Sequence, residues 1–210
     1  NDKNIGRICL AHAKKAGAVS PFQHGSRKRH KAINTCLNKL LLCDISRQTQ
    51  HSLAFAMNDA KGCCDRISHC IAILVLRYFG LPVSVTTALF TTLQRSIHHI
   101  ATGYGRSQPV YGDLLVPLMG IGQGNGLGPT LWALISTILL NMMEKAGHGV
   151  TLNSPITKTT LRLIGFSFVD DTDLVAALGP NASGEALVEE FQAALDRWAG
   201  GLVTTGGCLL

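Results

Sequence analysis

Two carboxylates side by side in the middle of an apolar run fit few folds, and Phe166-Ser167-Phe168-Val169-Asp170-Asp171-Thr172-Asp173-Leu174-Val175 presents them. Consecutive side chains of a strand point to opposite faces, so Asp170 and Asp171 reach one site only where the chain turns sharply between two strands. The stretch therefore predicts a β-hairpin with carboxylates at its tip. An isolated Asp-Asp is usually a solvated turn; aromatic and β-branched residues on both sides favour a buried hairpin here. Two anions held that close repel unless a proton or a cation compensates them. Mg²⁺ suits the task, because it takes one or two carboxylates and keeps room for water and phosphate oxygens.

A chain of 210 residues, 46% hydrophobic and 15% charged, can bury a core of one or two domains. Seven cysteines without a Cys-x-x-Cys pair set out neither a disulfide framework nor a zinc site, so reduced thiols in an intracellular protein are expected. The longest apolar run, Leu131 to Met143, is interrupted by Ser136, Thr137 and Asn141 and is too short to span a bilayer, so no membrane partner is expected. Charge is placed unevenly. Residues 1–50 hold ten Lys/Arg against Asp2 and Asp44, while residues 51–210 hold nine against eleven acids. That pattern suits a nucleic acid lying on the front section with metal chemistry in the body, and a basic solvated surface explains the charge almost as well. The opening residue is not Met and Gly206-Gly207-Cys208-Leu209-Leu210 closes no element, so a fragment is expected.

Along the chain, residues 1–22 show weak helical periodicity. Gln23 to Lys31 form a basic loop leading into an amphipathic helix whose Ile33, Cys36, Leu37, Leu40 and Leu41 share a face. Leu53 to Asn58 read as a short buried strand delivering Asp59 at its end. One apolar helix follows from Arg66 to Phe79, stopped by Gly80 and Pro82, and a second with Val85, Leu89, Leu93 and Ile97 in line. Residues 101–128 are glycine-rich loops with one hairpin at most. Pro129 suits the first turn of a buried central helix through Leu131 to Lys145. Ser183 caps a last helix, Glu185 to Ala199, with Leu187, Val188, Phe191, Leu195 and Trp198 in one stripe and Gly200-Gly201 ending it.

Three separated pieces line up: an acid after a strand at Asp59, the turn Gly122-Gln123-Gly124-Asn125-Gly126-Leu127-Gly128-Pro129, and the double acid at 170 and 171. In this order they resemble the palm of a reverse transcriptase. Asn58-Asp59-Ala60-Lys61-Gly62-Cys63-Cys64-Asp65-Arg66-Ile67 is similar to the first carboxylate motif of non-LTR retrotransposon and group II intron enzymes. Gln123-Gly124 followed by Gly128-Pro129 resembles their Gln-Gly...Ser-Pro segment, and Phe168-Val169-Asp170-Asp171 their aromatic-x-Asp-Asp hairpin. Gln23-His24-Gly25-Ser26-Arg27 resembles the Gln-x-Gly-x-Arg stretch before the palm, and Thr205-Gly206-Gly207 the start of the motif after the last helix.

The resemblance implies an α+β palm over residues 51–210, cut short at its C-terminal end, with an antiparallel sheet carrying the acids and helices packed on one face. Residues 1–50 would be a basic, partial helical fingers segment. It implies RNA-directed DNA synthesis by a mobile element, with RNA template, DNA primer and deoxynucleoside triphosphates as partners. Asp59 and Asp170 would hold two Mg²⁺ ions, Mn²⁺ being an alternative, with Asp171 adjacent and the Ala60 carbonyl completing one site. Such a pair of ions lowers the pKa of the primer 3′-hydroxyl and stabilises the leaving pyrophosphate. Gln123, Gly124, Cys64 and Arg27 would lie on the substrate side. Asp65 and Asp173 fit a cap or an ion pair better than a catalytic role.

Two positions depart from the family. Cys64 stands where the family usually has a Phe or Tyr that excludes ribonucleotides, which predicts weaker sugar discrimination, and Gly128 stands where Ser is common. No clear equivalent of the triphosphate-gripping hairpin precedes Gln23, and the downstream lysine and the thumb would lie beyond Leu210, so the 210-residue chain alone is expected not to polymerise. A catalytically dead relic that at most binds nucleic acid, through residues 1–50, and a palm for RNA-directed RNA synthesis are the alternatives.

Overall fold

The computed structural model describes residues 2–112, 119–122 and 124–207. Asp2–Lys15 (α1) precedes a loop and the helix Ala32–Gln48 (α2), which leads into strand Ser52–Asp59 (β1). Cys63–Arg66 (α3), His69–Tyr78 (α4) and Val83–Gln94 (α5) follow, then a short hairpin of Ala101–Thr102 (β2) and Gly105–Arg106 (β3). The helix Gly128–Lys145 (α6) precedes hairpin Val150–Asn153 (β4) and Thr160–Leu163 (β5). Gly165–Phe168 (β6), Asp171–Leu178 (β7) and helix Gly184–Thr205 (α7) end the described chain.

A three-stranded antiparallel sheet in the order β1-β7-β6 organises the molecule. Side chains alternate along β7, and it is apolar on both faces. Leu174 joins the main core, where Trp198 and Leu202 of α7 and Leu134, Ile135 and Leu139 of α6 also lie. Val175 joins a second cluster with Leu42 of α2, Phe166 and Val150. The expectation of helices on one face is therefore incomplete, since α2 and the β4–β5 hairpin cover part of the other. That hairpin falls in a stretch, 146–165, for which the periodicity predicts nothing.

The central helix is as expected. Pro129 lies in its first turn, and α6 is buried on most faces, including Trp132, Leu134 and Leu140. Cys9, Leu10 and Ala13 of α1 enter the same core, so the basic front section shares its interior with the body.

Three expected helices differ in their bounds. The apolar helix 66–79 is broken: Ile67 is extended and the Ser68 N–H donates to the Thr205 carbonyl at 2.9 Å, so α4 starts afresh at His69. Ile97 falls beyond the end of α5 and is exposed. Gly200 and Gly201 do not end α7. A Cβ at Gly201 would lie 2.8 Å from Leu139 Cδ2, so glycine there lets α7 press on α6, and the helix runs on to Gly206, whose φ of 93° ends it. Ser183 caps α7 as expected, accepting from the Ala186 N–H at 3.1 Å.

Candidate active site

The double acid sits on a hairpin. Phe168 pairs with Asp171, which leaves Val169 and Asp170 as a two-residue loop between β6 and β7. Val169 has φ 59°. A positive φ at the first loop residue suits the twist of a tight hairpin, but a β-branched residue pays about 1–3 kcal/mol of strain there. Such a conformation persists only where its surroundings fix it.

Those surroundings come from Gln23, which is fully buried. Its amide oxygen accepts from the backbone N–H of Gly25 at 2.7 Å and of Val169 at 3.2 Å. Its amide nitrogen donates toward Ser136 Oγ at 2.8 Å, Ser167 Oγ at 2.9 Å and the Val169 carbonyl at 3.1 Å. Trp132 Nε1 donates to the same carbonyl at 2.6 Å. Alongside, the His24 N–H donates to the Ser167 carbonyl and the Ser167 N–H to the Phe22 carbonyl, so the loop covers the open edge of β6. Gly25 is required by approach: a Cβ there would stand 2.2 Å from the Val169 nitrogen. The Gln-x-Gly stretch is visible in the sequence as a motif, but its grip on the acid-bearing turn is not. The one hint is a glutamine two residues before a glycine in an otherwise basic loop.

Asp59 ends β1 directly opposite Asp171 in the antiparallel register. Cross-strand Cβ atoms are separated by about 4.5–5.5 Å in such pairs. The structure thus brings Asp59, Asp170 and Asp171 to one end of the sheet. The Asp171 carboxyl is held above its usual range by partial loss of water, then by the charges of Asp170, Asp59 and Asp173, with Lys39 opposing. Asp173 is ion-paired to Lys39 at 2.5 Å, the role expected for it. Among the described residues no three His, Cys, Asp or Glu side chains form a ready-made metal cage. The donor set nevertheless fits a hard cation, since it offers only carboxylate oxygens whose mutual repulsion a divalent ion would relieve. Ala60 follows Asp59 and is buried.

Cys64 lies in α3, half-buried against the core. The Cys63 thiol donates toward Cys64 Sγ at 3.8 Å and Asp170 Oδ2 at 3.9 Å. That contact with Cys64, with burial and the Asp170 charge, pushes the Cys63 thiol up. A Cβ on Gly128 would lie 3.2 Å from Cys64 Sγ, so positions 64 and 128 adjoin each other. Gly124 has φ 91°, and among the described residues a Cβ there would meet nothing within 4 Å, which leaves room for close approach to its backbone. Gln123 lies outside the described residues. Arg27 turns inward, one guanidinium nitrogen donating to the carbonyls of Ser20 and Gln23, both at 3.2 Å. Lys28, Arg29 and Lys31 beside it are exposed.

No family model matches the sequence, and no curated protein matches it. Solved structures do, and they show that the chain has the fold of a reverse transcriptase, over nearly its whole length. Apo telomerase of Candida tropicalis, truncated from its C-terminal domain, superposes with a TM-score of 0.62 at 11% identity, over 99% of this chain and 38% of that one. Telomerase of Candida albicans, solved with a TWJ fragment of telomeric RNA, gives 0.62 at 12% identity, over 99% and 34%. At such identities the likeness establishes the fold, and the chain spans about a third of the length of these proteins.

Proposed function

We propose that the chain is the palm, with part of the fingers, of an RNA-directed DNA polymerase of the mobile-element kind its motifs resemble, extending a DNA primer on an RNA template. The observation that carries this reading is the register of Asp59 opposite Asp171 with Asp170 at the adjoining turn, on a reverse-transcriptase fold.

In this reading Asp59, Asp170 and Asp171 hold Mg²⁺ or Mn²⁺ with the Ala60 carbonyl. When bound, the ions supply activation of the primer hydroxyl and neutralisation of the triphosphate. Gln23 and Trp132 keep the Val169 peptide fixed, which holds the carboxylate of Asp170 at the tip without reorganisation. Gly124 allows the backbone close to the incoming nucleotide, and Cys64 leaves the sugar side open. The exposed cations after Gln23 attract the nucleic-acid backbone.

Extension of a DNA primer on an RNA template by the protein carrying this chain tests the proposal. Activity that needs Mg²⁺ or Mn²⁺ and disappears in Asp170→Ala is the expected result; none in any metal would reject it. The small side chain at 64 favours one second reading, RNA-directed RNA synthesis. Comparing deoxynucleotides with ribonucleotides in the same assay separates the two, and Cys64→Tyr should shift preference toward deoxynucleotides.

A further inference from the structure

A second concavity lies among α4, α6 and α7, and none of its lining residues belongs to the acid site. Its volume is 840 Å³, within the size of pockets that enclose a single organic ligand. Ile138 and Met142 of α6 and Leu74 of α4 line it, and Leu74 and Ile138 are exposed to solvent.

The groove is charged at one end. His148, just past α6, meets Glu190 at 3.0 Å, while Gly201 packs on Leu139 and Met142, so α7 runs antiparallel to α6. Arg197 therefore lies abreast of the last turn of α6, beside Lys145, and Asn141 stands one turn before Lys145 on the same face. The start of α4 is tied to the end of α7, the Ser68 N–H donating to the Thr205 carbonyl, and Tyr78 at the other end of α4 also lines the groove. Among the described residues neither Lys145 nor Arg197 has an ion-pair partner, and no acidic side chain lines the groove. Lys145 also offsets the negative end of α6, a role Arg197 does not share.

We propose that this groove binds an elongated apolar anion, a single acyl chain ending in a carboxylate. The tail lies along Leu74, Ile138 and Met142, and the carboxylate meets Arg197 and Lys145, with the Asn141 amide in reach. From Ile71 to Tyr78 the α4 side rises about 10 Å, and from Ile135 to Ala146 the α6 side rises about 16 Å. Those lengths suit one ligand, whereas a docked helix uses anchors over several turns and a larger contact area. The charge sits at one end only, as in an amphiphile with one head group.

The test is calorimetric titration of the 210-residue chain with dodecanoate and with dodecanol, in the parent and in Lys145→Gln/Arg197→Gln, whose folding is checked by thermal unfolding. One dodecanoate per chain is expected, with dodecanol about tenfold weaker or worse because it forgoes charge-assisted hydrogen bonds. The double variant should bring dodecanoate down to the level of dodecanol and leave dodecanol unchanged. Equal binding of acid and alcohol, or dodecanoate binding that ignores both substitutions, overturns the proposal. So does an acidic amphipathic helical peptide that binds through Lys145 and Arg197 where dodecanoate does not. All these readouts are binding, so they stand apart from whether the chain supports polymerisation.

Discussion

At the scale of residues, the acid cluster stores repulsion. Asp59 and Asp171 face each other across the strands, and like charges placed so are destabilising. Asp171→Asn should therefore stabilise the metal-free chain by about 0.3 kcal/mol, a figure kept small because the side chain is exposed and screened. The pH dependence has a definite sign. The folded carboxyl titrates above its ordinary value of 3.8, so the stability it contributes is complete below that value and declines as pH rises through the folded one. The Asn variant should lack this decline. Mg²⁺ at ten times its Kd should raise parent stability by about 1.4 kcal/mol and the variant by less. Urea unfolding across pH, with and without Mg²⁺, measures all three, and a variant weaker than its parent in the absence of metal would refute the repulsion argument. A second test concerns the adjoining pair at 64 and 128. Gly128→Ala improves helix propensity but crowds Cys64 Sγ, so it should stabilise more in a Cys64→Ala background, with a coupling of about 0.5–1 kcal/mol. Strict additivity would show that Cys64 yields without cost.

At the scale of elements, the hairpin that carries Asp170 depends on the loop before α2. Gln23→Leu keeps the volume but removes the acceptor of the Gly25 and Val169 N–H groups and takes one partner each from Ser136, Ser167 and the Val169 carbonyl, and should cost about 2–3 kcal/mol. Gly25→Ala should cost at least as much, because the atoms it meets are backbone. Chemical denaturation reads both; a loss below about 1 kcal/mol for Gln23→Leu would mean the turn is held by Trp132 alone. The hairpin itself is legible in the sequence, since two acids between apolar runs admit little else. The clamp is not, because Gln23 and Val169 are far apart in sequence and nothing local couples them. Periodicity misleads where tertiary contact decides. In α2 the stripe of Ile33, Leu37, Leu40 and Leu41 points to solvent, while Thr35, Leu42 and Ser46 are buried. The strand β1 lies where the apolar run puts it, but it is half-buried, with Met57 85% exposed, since an edge strand has cover on part of each face. Glycine in α7 reads as a stop and is a contact, a distinction that only the approach of α6 reveals.

At the scale of the whole molecule, charge and chemistry adjoin. The loop that clamps the acid-bearing turn through Gln23 continues into Lys28, Arg29 and Lys31, which are exposed. His24 and His30, their rings 5.2 Å apart, do not add to this charge near neutrality: burial, each other and Arg27 hold His24 below its ordinary 6.5, and burial, Arg27 and Lys14 do the same for His30. The fixed cations alone therefore set the electrostatic footprint at pH 7. If a nucleic-acid backbone lies on this loop, each cation that contacts a phosphate adds about 0.7–0.9 to the steepness of log affinity against log salt. Replacing Lys28, Arg29 and Lys31 by Ala should flatten the slope for an RNA–DNA hybrid by about 2, weakening binding at low salt and converging with the parent at high salt. Fluorescence anisotropy across a salt series reads this directly. An unchanged slope would place the nucleic acid elsewhere on the chain and leave the basic front section as a solvated surface; a flattened slope would put the phosphates within one loop of the carboxylates that Asp59, Asp170 and Asp171 supply.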